Sequence, residues 1–412
     1  MRPLYSEVAA IDVHKSMLAV VIMDMRGAEY ACLRRKFGTS KNQVDQLAQW
    51  LREHGVHAVV MESTAQYWKG VWASLEREFV LHLAQARANA APHGRKSDFA
   101  DAERLLRRFV AGDLRLSYVP DEEQRGWRVL ARSRVQITRQ RVRLRNQIEA
   151  LLEEGQIKLS TVVSDLLGIS ARRILQALAA GVTDTTALTA LASEHLHATD
   201  EQLAEALNGQ LQDDHRLLLR MYLDQVELLD RQIRELAQRL GVRLQPHQQT
   251  LTRLCEVPGV SVDSAQQVLA EVGPEAVAFP SAAHLASWIG VCPGRQESAG
   301  YSVSDRSPKG SRPMRRILNQ IAWAAARSRD THFQKLFRRF VPRMGIQKAL
   351  WAVAHHLLRV LWKILHHGVR YIEYGPLQLD PTTAHKRKQR LLREFRKLGY
   401  SVQLTPLLLG AV

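Results

Sequence analysis

Three strand-length apolar runs follow one another before any helical pattern begins, and they make the N-terminal part of this chain an α/β body. Val8 to Asp12, Met17 to Asp24 and Tyr30 to Phe37 are separated by His14-Lys15-Ser16 and by Arg26-Gly27, both suited to turns. Thr39 or Ser40 can then cap a helix whose Val44, Leu47, Ala48 and Leu51 share one face. Val56 to Glu62 reads as a buried strand, followed by a helix containing Tyr67, Val71 and Leu75. Phe79 to Leu83 reads as a fifth strand, and a helix is expected from about Lys96 to Ala111. The expected order is β-β-β-α-β-α-β-α.

That order is the order of a ribonuclease-H-like (RuvC-like) nuclease core, expected over residues 1–120. Its strand ends carry acids. Asp12 closes the first strand, Glu62 closes the fourth, and Asp98 and Asp101 lie three apart on one helix face. In such a sheet the first and fourth strands are neighbours, so the four carboxylates converge at one edge. Hard ions such as Mg²⁺ take oxygen ligands of this kind, and a pair of them can stabilise both oxygens of a phosphoryl displacement. Singly, each acid has a structural explanation: a turn residue, a helix start, a solvated face. Four in this order on these elements point to a metal site.

Beyond residue 120 the pattern turns helical. Leu219, Val226, Ile233 and Leu240 recur every seven residues, with Tyr222, Leu229 and Leu236 three further on. Ile137, Leu144, Ile148 and Leu151 form a similar seam. Residues 121–245 are therefore expected as a coiled-coil arm, either an antiparallel hairpin or a contact between copies. Residues 246–370 are expected as a mainly α-helical domain. Within it, Leu254 to Val260 and then Ala265, Val268 and Leu269 suggest a helix-hairpin-helix with Ser261 where a second glycine is usual; ordinary helix packing is the alternative. Residues 371–412 are expected as a basic tail. The paired histidines 355–356 and 366–367 lie too far apart on one helix to share an ion.

Charge points to a polyanion. The chain has 58 Lys and Arg against 41 Asp and Glu, a net +17, and eight arginines fall between Arg125 and Arg145. Neutralising phosphates releases condensed counterions, so clustered cations favour nucleic acid. No run of apolar residues approaches a membrane span, and the N-terminus lacks a secretory pattern. The three cysteines match neither a zinc spacing nor a disulfide framework, so a reducing compartment, most simply a cytoplasm, is expected.

The segments Ile11-Asp12-Val13-His14-Lys15, Met61-Glu62-Ser63-Thr64 and Lys96-Ser97-Asp98-Phe99-Ala100-Asp101-Ala102 resemble the DEDD signature of the insertion-sequence 110 transposases. The family's C-terminal transposase domain is similar to Val257-Pro258-Gly259-Val260, Leu285 to Gly290, Gln296-Glu297-Ser298-Ala299-Gly300 and Lys309-Gly310-Ser311. The likeness covers most of residues 6–370. It implies recombination of donor and target double-stranded DNA, guided by a bridge RNA that pairs with both. It also implies Mg²⁺ at Asp12, Glu62, Asp98 and Asp101, with Ser298 as a nucleophile forming a 5′-phosphoserine link. Composite sites between protomers are implied too, hence a dimer and, in the synaptic complex, a tetramer. Arg295, Arg306, Lys309 and Arg312, and Arg132 and Arg139 of the arginine cluster, are the expected nucleic-acid contacts. Rival readings are a hydrolytic Holliday-junction-resolvase-like nuclease, a protein-guided invertase and a non-catalytic binding protein. A proofreading exonuclease wants Asp-x-Glu, where this chain has Asp12-Val13-His14.

Overall fold

The first strand, β1 (Glu7–Val13), is apolar at nearly every position because it lies inside a sheet covered on both faces. A computed structural model describes residues 7–24, 31–62, 65–85, 97–193, 196–292, 296–298, 301–304, 307, 309–373, 381–397 and 399–403. They form two units, Met1–Arg125 and Gly126–Val412. In the first, β1 pairs antiparallel with β2 (Met17–Asp24), which pairs antiparallel with β3 (Ala31–Gly38). On its other side β1 runs parallel to β4 (Ala58–Glu62), then come parallel β5 (Val80–Ala84) and a short antiparallel β6 (Leu116–Ser117). The sheet order is β3-β2-β1-β4-β5-β6. Helix α1 (Lys41–Glu53) precedes β4, α2 (Trp68–Leu75) precedes β5, and α3 (Asp98–Val110) follows it.

The two-residue period of a strand divides the sheet's side chains between its faces. Ala9, Ile11, Leu18, Val20, Val59 and Met61 pack with Leu47 and Leu51 of α1 and Val71 and Leu75 of α2. Val8, Ala10, Val21, Ala58 and Val60 pack with Ala102, Leu105, Leu106 and Phe109 of α3. Packing outweighs capping here. Ser40 stands at the N-cap of α1 without a side-chain bond, a loss of about 1 kcal/mol. Leu47 and Leu51, both fully buried, each contribute about 1.5–3 kcal/mol.

The element order is as expected, with three differences of detail. Thr39 caps nothing and donates to the Lys15 carbonyl at 3.0 Å. Tyr67 is the exposed N-cap residue of α2, and Trp72 takes the buried position. β6 is an added strand, too short and polar for periodicity to reveal. Tyr30 and Lys96 lie outside the described residues.

The expected segments 121–245, 246–370 and 371–412 fall almost wholly within the second unit. Long helices α4 (Glu122–Glu154) and α9 (Asp213–Arg243) flank α5 (Leu159–Val162), α6 (Ile169–Ala179), α7 (Thr185–Thr189) and α8 (Asp200–Ala206). α4 and α9 run antiparallel within the chain: Gly126 lies against Arg243, Arg141 donates to Asp230 at 2.6 Å, and Gly155 lies against Gln210 and Leu211. The heptad positions are buried only towards the two ends. Leu144, Ile148, Leu219 and Val226 join one core, Trp127, Ala131 and Leu240 join another, and Ile137 and Ile233 between them are half-buried.

The second of these cores also holds α10 (Gln248–Cys255), α11 (Val262–Val272), α12 (Ala282–Ile289), α13 (Arg312–Arg327) and α14 (His332–His367). Strands β7 (Gln296–Ser298) and β8 (Tyr301–Ser304) form a separate hairpin between α12 and α13, and α15 (Pro381–Lys397) follows α14. The α10–α11 turn has the helix-hairpin-helix outline, but its Gly259 (φ +85°) is seated on α13, where a Cβ would fall 2.5 Å from the Ala325 nitrogen. Ser261 caps α11 through Ser264. This geometry favours helix packing over phosphate contact for that turn. α14 is two helices joined at Gly345 (φ +77°), just beyond Pro342.

Candidate functional site

Strand register explains how residues far apart in sequence reach one edge of the first unit. Ile11 pairs with Met61, so Asp12 and Glu62 occupy adjacent positions at the C-terminal ends of parallel strands β1 and β4. By alternation both lie on the face that packs against α3, since Val8, Ala10, Ala58 and Val60 do. α3 begins at this edge, with Asp98 and Asp101 in its first turn. The row continues across the sheet: Asp12 pairs with Ala19, and Ala19 with Lys36. The small side chain at 19 leaves a gap, and the Lys36 ammonium reaches Asp98 Oδ2 at 3.0 Å.

Asp12 Oδ2 lies 3.0 Å from His14 Nε2, which is 3.6 Å from Asp98 Oδ1. One ligand atom from each of Asp12, His14 and Asp98 lies within 4.8 Å of the other two. Asp101 accepts from Arg104 at 2.7 Å. Burial pushes the Asp12 carboxyl above its ordinary pKa, His14 opposes that shift, and the charges of Asp101 and Asp98 add to it. The Lys36 hydrogen bond holds Asp98 below the usual carboxylate range. A half-buried carboxylate among like charges is the environment a divalent cation relieves, and the donor set is rich in the hard oxygens that Mg²⁺ prefers. The residues fit that ion.

Sequence reasoning passes over His14 and Lys36. His14 belongs to the first motif, but no local pattern places its ring across a tight turn from Asp12. Lys36 requires the three-strand register, which no local pattern supplies either.

The remaining expected site residues lie in the second unit. Ser298 ends β7, paired with Tyr301 of β8. Lys309 is exposed in the loop before α13, and Arg312 is exposed at the start of that helix. Arg295 and Arg306 lie outside the described residues. Gly310 lies against the end of α12, where a Cβ would fall 2.2 Å from the Ile289 carbonyl carbon, so the hairpin-to-helix loop is held close to α12. Arg132 and Arg139 of α4 line one cavity together with Arg312.

No helix among the described residues is long and apolar enough to cross a membrane. No curated protein matches the chain. Residues 9–156 match the family model of the DEDD transposases of the IS110 group, described as a transposase. Residues 251–338 match a second model, described as the transposase IS116/IS110/IS902 family. The two matches occur in order and together span more than half of the chain, and the first contains all four acids. The chain belongs to the IS110 family of transposases, and with it to the enzymes that cut and rejoin DNA.

Proposed function

We propose that this protein is a recombinase that cuts and rejoins DNA through a covalent serine intermediate, with a ribonuclease-H-like metal site in its N-terminal unit. The observation that supports the reading is that Asp12, His14 and Asp98 hold ligand atoms within 4.8 Å of one another, beside the strand end that carries Glu62 and the helix turn that carries Asp101. Asp12, Glu62, Asp98 and Asp101 would hold Mg²⁺, and His14 is a further candidate ligand. Bound Mg²⁺ supplies Lewis-acid stabilisation of charge at the scissile phosphate.

Ser298 is the proposed nucleophile. Its hydroxyl loses a proton, the Oγ–P bond forms, and the P–O3′ bond breaks to leave a 3′-hydroxyl and a 5′-phosphoserine link. The link conserves phosphodiester energy, so a later 3′-hydroxyl can rejoin the strand and release the serine without ATP. Arg295, Arg306, Lys309 and Arg312 are proposed to steady the phosphate. Guidance by a bridge RNA and assembly as a dimer or tetramer belong to the same proposal, and the +17 charge supports a nucleic-acid partner. The α4–α9 pair, closed within one chain, supports the hairpin form of the coiled-coil arm rather than a contact between copies.

The test is a nicked suicide duplex incubated with the protein and Mg²⁺, then resolved on a denaturing gel. A protein–DNA adduct that disappears in Ser298→Ala is the expected result. Cleavage without an adduct would instead identify a hydrolytic, resolvase-like nuclease. Sequencing the RNA that co-purifies tests guidance, and the absence of any discrete species would favour a protein-guided invertase.

A further inference from the structure

A cavity of about 210 Å³ in the second unit is lined by Arg132, Arg139, Gln267, Glu271, Arg312 and Arg316, among others. Its charges do not balance. The Glu271 side chain is only 2% exposed, and both its oxygens are taken by Arg132, at 2.7 and 2.8 Å. Arg128 backs it at 3.8 Å. That carboxylate is taken up by Arg132 and, although it still acts on Arg316, its single charge cannot balance Arg139, Arg312 and Arg316 as well. Arg316 has neutral partners, the side-chain oxygens of Gln267 and Gln320. Among the described residues no carboxylate forms an ion pair with Arg139, Arg312 or Arg316.

Burial, and then the neighbouring Arg139 charge, hold the Arg316 guanidinium below its usual range against the opposing pull of Glu271. Cations gathered around a hollow repel one another, and an anion inside it removes that repulsion. Arginine is well made for holding such an anion, because its planar fork matches phosphate oxygens in pairs and it is weakly hydrated. Val135 and Ile317 contribute apolar wall, which strengthens such contacts. Arg132 and Arg312 keep the cavity open to solvent, with the Arg132 side chain 46% exposed.

We propose that this cavity seats one phosphodiester of a nucleic-acid strand, gripped by Arg139, Arg312 and Arg316, while Arg132 stays locked on Glu271. The identity of the anion rests on the DNA-recombining reading; the site itself rests on the geometry. Sequence alone points to Arg132, Arg139 and Arg312 on separate grounds. Their shared cavity, and the part of Arg316, come from the fold.

The test measures equilibrium binding of the full chain, without Mg²⁺, to labelled duplex DNA, single-stranded DNA and RNA of equal length. Arg139→Gln, Arg316→Gln and Arg312→Gln are compared with the parent over a range of salt. Each variant is expected to bind at least one of these strands about tenfold more weakly. The slope of log K against log salt should flatten by about 0.9 on duplex or about 0.7 on single strands for the phosphate lost. The strand affected identifies the source of the phosphate. Arg139 is exposed and has no part in the proposed catalytic loop, so its variant tests the site even if replacing half-buried Arg316 disturbs the fold. Unchanged affinity and slope on all three strands overturns the proposal. So does stabilisation by inorganic phosphate that the variants abolish with no strand weakened, which assigns the site to free phosphate. Adduct formation by the same preparations separates the two readings. With Mg²⁺ and the co-purifying RNA supplied, a parent that cuts nothing, with variants that still lose strand binding, overturns the recombinase reading alone; normal cutting with unchanged variant binding overturns the cavity alone.

Discussion

Breaking the Arg132–Glu271 pair from its two sides should have unequal effects. Glu271 is 2% exposed while Arg132 is 46% exposed. Arg132→Met leaves a buried carboxylate whose one remaining ion-pair partner among the described residues is Arg128, at 3.8 Å. Removing one member of a buried pair costs about 3–5 kcal/mol because the survivor is left without its partner. Glu271→Gln leaves guanidinium groups that can turn towards water, so its cost should fall below that range, at about 1–3 kcal/mol. Arg132→Met combined with Glu271→Gln should be milder than Arg132→Met alone, since a neutral amide tolerates a thioether neighbour. Urea denaturation of the four proteins, compared by midpoint and m-value, supplies the double-mutant cycle. A cost below about 1 kcal/mol for Arg132→Met, or a larger cost for Glu271→Gln, would refute this reasoning. Glu271→Gln should also tighten duplex binding, because it frees Arg132's charge beside the proposed phosphate seat.

In the acid site, millimolar Mg²⁺ should raise the melting temperature of the parent. Tenfold excess over Kd corresponds to about 1.4 kcal/mol, and Asp12→Asn or Asp98→Asn should abolish both the shift and strand cleavage. Without metal, Asp12 has a folded-state pKa above its ordinary 3.8. Its contribution to stability is therefore full below 3.8 and lost as pH rises through the raised value. Asp12→Asn should accordingly be more stable than the parent at neutral pH in EDTA, with the margin shrinking in acid; a less stable variant at neutral pH would contradict the assignment. Gly259→Ala should destabilise the second unit by more than about 1 kcal/mol, since it meets both a positive φ and the α13 backbone. An unchanged thermal midpoint would show that the turn yields more easily than its contacts indicate.

Much of the first unit is legible in the sequence because its strands alternate in a two-residue rhythm and its helices in another. Asp12, Glu62, Asp98 and Asp101 stand out for a related reason: each ends a strand or begins a helix, positions that chain order reveals. Lys36 does not, because its role depends on register carried through Ala19, and nothing near residue 36 mentions residue 98. His14 is visible in its motif, but a lone histidine in a turn carries little information until its ring is placed 3.0 Å from an aspartate. The heptads of α4 and α9 announce long helices without saying what covers them. Ile137 and Ile233 fit the repeat yet are only half-buried, so the repeat does not report how closely the two helices pack at their middle. Arg316 is hidden among the many arginines, since its partners Gln267 and Gln320 are neutral and non-local or ordinary in sequence.

The antiparallel pair of long helices has greasy anchorages at its ends and an ionic clasp midway, where Asp230 accepts from both Arg141 and Arg172. Because Asp230 is only 15% exposed, salt screens this clasp weakly, so the waist should hold at high ionic strength and loosen when Asp230 itself loses its charge.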